Sequence, residues 1–235
     1  VLNENANNEL SKETIEAMKA LPTGMGANMT ELCDSESEDI IINTLAGVKS
    51  NSHINICRDK ESLAKVRVYI YAAKDSDVNV WMDYSSNEEN SGALAVQTFV
   101  FAEKDAKVKL YQVGLQSDRD ISLNDIGANV EKDASFELVQ LLLGGEKIFA
   151  GARASLVGKR SEFISDLGYY GKAEDQIDLN YVADHIGKSS NCKMITSGVL
   201  NDNSKKLLRG TIDFKRGAKD ATGEESEDVL LLGEH

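Results

Sequence analysis

Few side chains in this chain have the types and spacing that chemistry needs. Gly187-Lys188-Ser189 has the ending of a phosphate-binding loop, in which backbone N–H groups cradle phosphates and the Lys reaches them. That loop needs a Gly five positions before its second Gly, and position 182 is Val182. Gly151 with Gly158-Lys159-Arg160 fails the same test, with six residues between the glycines. Both segments read as turns. Cys33, Cys57 and Cys192 are far apart and form no CxxC or Cys/His cluster, so neither a zinc site nor a disulfide framework is indicated. His53 and His235 have no acidic or cysteine partner at useful spacing, and no Ser/His/Asp triad can be assembled. Asp166, Asp175, Asp178 and Asp184 could line the face of a polysaccharide-cleaving enzyme, but outward strand positions are usually polar, and these acids read as solvated surface.

The chain has 235 residues and a formal charge of 26 − 39 = −13, which argues against a nucleic-acid or anionic-membrane surface. Its 41% hydrophobic and 28% charged residues are ordinary for a folded domain. No apolar run reaches the roughly 18 residues of a membrane span, and VLNENANNEL has no signal-peptide character, so a soluble, cytoplasmic protein with reduced thiols is expected. Pro occurs once, at Pro22, against about 12 expected at an average of ~5%. Proline cannot donate to a β ladder, so continuous ladders would purge it.

Residues 1–50 read as a short helical segment and a loop. Ser11 is a plausible N-cap, with Ile15, Met18 and Leu21 at helical spacing and Pro22 with a Gly-containing stretch to end the helix. Residues 51–235 are β-rich, with runs such as Val66–Tyr71 and Val96–Phe101 between small and charged turns. Laid over one another, the turns place Lys74, Lys104, Lys132, Lys159, Lys188 and Arg216 in one column, with gaps of 30, 28, 27, 29 and 28. Four residues after the basic position stand Val78, Val108, Phe136, Phe163 and Cys192; three after it stand Asp77, Lys107, Ser135, Glu162 and Asn191. Inside and outside alternate with the period of a strand. A period of about 28 fits two strands of about seven residues and two connections, the coil of a β-helix. An antiparallel sandwich also has many short strands, but does not require the same columns in every repeat.

The columns assign two of the chemical candidates. Cys192 stands among core residues and reads as a small buried hydrophobe. Two before the basic position stand Ala72, Ala102, Val130, Val157, Ile186 and Phe214, an inward column; His185, one step out of phase with Ile186, is expected to face outward. The run Glu224-Glu225-Ser226-Glu227-Asp228 reads as a soluble loop shielding the apolar strand Val229–Leu232 from edge pairing.

The stretch His185–Leu200, then Arg209-Gly-Thr-Ile-Asp-Phe214, Gly217-Ala218 and Val229–Leu232, resembles the core of the SufB/SufD proteins of the SUF iron–sulfur cluster assembly system, closer to the SufD-like branch, over residues 60–234. The resemblance implies an all-β, right-handed β-helix with two strands per coil. It also implies a non-catalytic scaffold that pairs with a SufB-like protein and works with the SufC ABC-type ATPase. A cluster would be held only transiently in the complex, with no tightly bound cofactor. Against the family pattern the chain stops at Leu232-Gly-Glu-His235, before a His-Gly-type segment and a helical region that engages SufC. On this reading the chain is truncated, His235 being a remnant of that segment or of a tag. No functional residue is carried over: catalytic and cofactor-binding residues are none, and metal ligands unknown. The expected protein is therefore a β-helical scaffold with a short helical N-terminal segment, dimeric when its partner is missing. The rivals are a carbohydrate-active β-helix enzyme, which needs clustered outward acids and aromatics beyond the single Trp81, and a filament-forming β-helix.

Overall fold

The computed structural model describes residues 1–59, 62–87 and 91–233. In chain order it contains β1 (Leu2–Glu4), α1 (Lys12–Lys19), α2 (Ala27–Asp34), β2 (Glu38–Thr44), β3 (Lys49–Arg58), β4 (Leu63–Ala72) and β5 (Asp77–Ser86). There follow β6 (Ala93–Ala102), β7 (Lys107–Leu115), β8 (Ile121–Val130), β9 (Ser135–Leu142) and β10 (Lys147–Leu156). The remaining strands are β11 (Glu162–Gly171), β12 (Gln176–His185), β13 (Asn191–Asn201), β14 (Lys205–Phe214) and β15 (Thr222–Leu232). From β2 onward each strand pairs in parallel with the strand two further along, giving one sheet in the order β1-β3-β5-β7-β9-β11-β13-β15 and a second, β14-β12-β10-β8-β6-β4-β2. The fold is the expected parallel β-helix with two strands per coil. From β3 onward the strands are 8 to 11 residues long rather than about seven, and the corners are correspondingly tight.

One corner explains the repeat. At Glu103-Lys104-Asp105-Ala106 the Ala106 N–H donates to the Glu103 carbonyl at 3.0 Å, while Asp105 has φ 62°. Asp75, Asp133, Arg160, Ser189 and Asp220 take the same left-handed conformation, which Asp tolerates better than most residues. All of these except Asp220, in the last coil, also donate their N–H to a Lys carbonyl of the next coil: Asp75 to Lys104, Asp105 to Lys132, Asp133 to Lys159, Arg160 to Lys188 and Ser189 to Lys219. The last partner is Lys219, not Arg216, because the turn between Phe214 and Thr222 is two residues longer than that between His185 and Asn191.

A turn-length change also corrects the inward column. Ala72, Ala102 and Val130 are buried, but their ladder partners in the next coils are Leu156, His185 and Phe214. Six residues separate Ala72 from inward Val78; seven separate Leu156 from Phe163 and His185 from Cys192. The inserted residue moves Val157 and Ile186 outward, where they are exposed, and turns His185 inward.

The lumen is filled by stacked identical positions, such as Val78, Val108, Phe136, Phe163 and Cys192, with the Phe136 and Phe163 rings 5.5 Å apart. Each such apolar side chain contributes about 1.5–3 kcal/mol of burial. The outer face of the second sheet is covered by the N-terminal segment. Ser11 caps α1, accepting from Thr14 N–H at 3.1 Å, and Met18 packs on the stacked pair Tyr69 and Phe99 with Ile15 and Leu21 beside it. The loop expected after α1 contains a second helix, α2. Its N-cap is Gly26, without a capping side chain, so its hold is tertiary: Arg67 pairs with Asp34 and donates to the Thr30 carbonyl at 3.2 Å, and Gln97 donates to Thr30 Oγ1 at 3.0 Å. The Gly24 backbone lies against Gly151 of β10 with no room for a Cβ on either, and the buried Asp125 carboxylate accepts from Met25 N–H at 2.7 Å. Pro22 lies between the helices, outside every ladder.

The left-handed corner gives a test. Asp105→Val should destabilise the fold by roughly 1–2 kcal/mol, because a β-branched residue is strained at positive φ. Asp105→Asn should be close to neutral. Urea unfolding of both variants measures the difference.

Candidate partner interface at the open end

The two ends of the solenoid differ. At the first coil, β1 pairs antiparallel with β3, and Asn7 forms an antiparallel bridge with Asn43 of β2, its N–H and carbonyl each bonded at 2.8 Å. The segment before α1 thus closes the edges of the first coil. At the other end β14 and β15 are the outermost strands of their sheets, and every residue of β15 is exposed. An open strand edge offers unpaired N–H and C=O groups to another chain.

What lines that end was only half legible. The acidic run lies within strand β15 rather than in a loop, and its register puts Glu225 over Met194 and Glu227 over Thr196, in the inward columns. Gly210 of β14 leaves the space that the Glu225 carboxylate occupies, and Glu227 pairs with Lys206, whose Nζ lies 6.0 Å over the Tyr169 ring. Tyr169 donates to Glu227 at 3.2 Å. The mouth of the lumen therefore carries charge where earlier coils carry hydrophobes, with Leu208 and Ile212 of β14 only partly buried beneath. Inward-pointing charges on an edge strand oppose indiscriminate stacking.

One coil deeper lies the most chemical cluster of the lumen. His185 is 0% exposed; its Nδ1 is 2.7 Å from Ser190 Oγ and its Nε2 3.3 Å from Cys192 Sγ. Ser190 donates its own proton to the Gly187 carbonyl at 2.9 Å, so Nδ1–H must be the donor to Ser190, leaving Nε2 to accept from the thiol. The Phe214 ring stacks on the imidazole at 4.6 Å. Burial lowers the His185 pKa despite the Asp184 charge, and raises that of Cys192 to about 11. The pair is thus neutral imidazole against thiol, not a thiolate–imidazolium couple. Cys192 packs in the core as expected, and the outward reading of His185 is corrected.

The remaining candidates disperse. Asp166 is exposed and Asp178 pairs with Arg209, but Asp175 and Asp184 are buried, correcting the surface reading. Asp175 accepts from Lys172 N–H at 3.0 Å to close its turn, and Asp184 lies between Arg153 at 2.6 Å and Lys215 at 3.2 Å, with a carboxyl held below the usual range against the cost of burial. His53 does have an acidic partner, Asp83 Oδ2 at 2.5 Å from Nε2, thirty residues away and therefore one coil up. His235 lies outside the described residues. Gly187-Lys188-Ser189 forms a corner turn, with Ser189 at φ 55°. Trp81 stacks on Tyr111 at 4.9 Å and 9°, so the rings cover each other's faces rather than offering a flat sugar platform. A buried polar string went unread: Gln140 donates to Gln112 Oε1 at 2.7 Å, Asn124 to the same oxygen at 3.0 Å, and Tyr181 to Gln140. These residues occupy inward strand positions, which alternation alone would have marked.

Among the described residues no group of three or more His, Cys, Asp and Glu side chains is placed to hold a metal ion, and no helix is long and apolar enough to cross a membrane. The fold is a parallel β-solenoid whose first coil is bordered by its own N-terminal segment and whose outermost described strands are β14 and β15. Residues 55–235 match the family described as SUF system FeS cluster assembly, SufBD core domain, and the chain belongs to that family. Its function therefore lies in the SUF iron–sulfur cluster assembly system. No curated protein matched the chain in a sequence search.

Two measurements check the buried pair. With iodoacetamide at pH 8, exposed Cys57 should alkylate within minutes while Cys192 stays unmodified until the protein unfolds; comparable rates for the two would contradict the neutral thiol. The folded His185 pKa lies below its unfolded value, so the unfolded state binds more protons as pH falls through about 6.5. Stability should therefore decrease from pH 7 toward pH 5 with a limiting slope of about 1.4 kcal/mol per pH unit from this residue. His185→Gln should flatten that slope in urea titrations.

Proposed function

We propose that this protein is a non-catalytic scaffold of cluster assembly, SufD-like, which pairs through its β-helix with a SufB-like protein and works with the SufC-like ABC ATPase in the cytoplasm. The observation that carries this reading is the charge segregation of the two open strands. β14, Lys205–Phe214, has Lys205, Lys206 and Arg209 against one acid, Asp213; β15, Thr222–Leu232, has Glu224, Glu225, Glu227 and Asp228 and no cation. Laying β15 against a copy of itself sets acid against acid or acid against Val229–Leu232. A partner strand with basic residues suits β15, and an acidic strand suits β14. A second copy turned so that β14 meets β15 also meets that requirement, which fits a homodimer when the partner is missing.

The iron–sulfur cluster is cargo in this reading, held transiently in the assembled complex, and no residue of this chain is assigned as its ligand. The dispersal of Asp166, Asp175, Asp178 and Asp184 supports a scaffold over a glycan-cleaving enzyme, and the closed first coil supports pairing over a head-to-tail filament.

The test is an anaerobic pull-down of the tagged full-length gene product from its native host, with partners identified by mass. Recovery of a SufB-like protein and an ABC-type ATPase is expected, and Glu225→Lys should reduce capture of the first at least tenfold. A folded, abundant protein that captures neither removes the reading.

A further inference from the structure

The two outer faces of the solenoid are treated differently, and the difference points to an interaction surface on the outer face of the β1-to-β15 sheet. On the β2-to-β14 sheet the outward-facing apolar positions Tyr69 and Phe99 are buried under the chain's own amphipathic helix α1, through Met18, Ile15 and Leu21. On the opposite sheet a comparable apolar strip is bare. Leu141 and Leu143 at the end of β9, Tyr170 of β11, Val199 of β13 and Leu230 of β15 lie in neighbouring outward rows; Leu143 is 39% and Leu230 57% exposed. Leu115 at the end of β7, 56% exposed, prolongs the strip.

The strip is a groove rather than a flat face. Gly168 and Ser197, adjacent in the ladder between β11 and β13, form a low floor between the Leu141 side and the Tyr170, Val199 and Leu230 ridge, enclosing about 650 Å³. It crosses four strands, about 14 Å at ~4.8 Å per strand, the length of roughly nine residues of α-helix. At its β11–β15 end the charges are acidic, with Asp228 lining the groove and Asp166 in the neighbouring outward row beside Gly168, whereas at the Leu115 end Lys172 is paired with Asp118 and Arg119 stands nearby. The whole chain carries −13.

From this geometry we infer that the groove docks an amphipathic helix of another protein, about nine residues of which present an apolar stripe to Leu141, Leu143 and Leu230 while flanking Lys or Arg residues meet Asp228 and Asp166. Two arguments fix the occupant. The molecule already solves the same burial problem on its other face with a helix of eight residues, α1. The acidic margin selects a basic flank and repels a second copy of this strongly acidic chain.

The experiment uses the intact chain and three labelled twelve-residue probe peptides: a Leu/Lys amphipathic helix, its Leu/Glu counterpart, and a scramble of the first. Fluorescence anisotropy and methyl NMR are the readouts. Saturable binding of the Leu/Lys helix is expected, with shifts at the Leu141, Leu143 and Leu230 methyls and affinity at least tenfold above that for the Leu/Glu helix and the scramble. Leu143→Lys, at an exposed position, should lower that affinity at least tenfold with the unfolding midpoint unchanged, and Gly168→Leu should do the same by filling the floor, where the displaced neighbour is the flexible tip of Leu141. Equal binding of all three peptides, shifts confined to the Leu208 and Ile212 methyls of β14, or self-association that Leu143→Lys abolishes would each overturn the proposal. The outcome is independent of the pull-down, since β14 and the β15 acids are untouched by either variant.

Discussion

The structure depends on one constraint: in a parallel solenoid each strand's hydrogen bonds go to the coils above and below, so no coil can satisfy its own backbone. Every interior coil has two neighbours, and the two terminal coils have one. The N-terminal segment resolves the first deficit with β1 on β3 and the Asn7–Asn43 bridge. Among the described strands β14 and β15 are the outermost, the first carrying mostly basic and the second only acidic charges.

The same constraint makes side-chain columns sensitive to turn length. Coils are locked in register by backbone bonds, so an extra residue in a corner cannot slide a strand; it is absorbed in the corner and shifts which residue points inward. This is why Leu156 and His185, rather than Val157 and Ile186, continue the column of Ala72 and Ala102. It also puts a histidine in the lumen beside Cys192, where tight packing holds both neutral. His185 and Cys192 are partnered structural elements, as are the string from Gln112 to Tyr181 and the Asp184 bridge to Arg153 and Lys215.

On the outside, the faces of the two sheets report different histories of burial. The face under α1 and α2 is shaped for its cover: Gly24 and Gly151 allow the backbones to touch, and Asp125 receives the Met25 N–H. The face with Leu141, Leu143 and Leu230 has the same apolar character without a cover.

The sequence by itself determined the repeat, the two-stranded coil, the capped helix at Ser11 and the burial of Cys192, because a parallel stack repeats its environment every coil and so repeats its residue types. It also made the family resemblance legible, since the motif from His185 to Leu200 is local. Only the tertiary structure decided where His185 points, that α2 exists, that His53 meets Asp83, and that Glu225 and Glu227 turn into the lumen. Each of those depends on a corner length or on a residue some thirty or more positions away. Periodicity averages over such contacts, whereas the ladder register fixes them residue by residue.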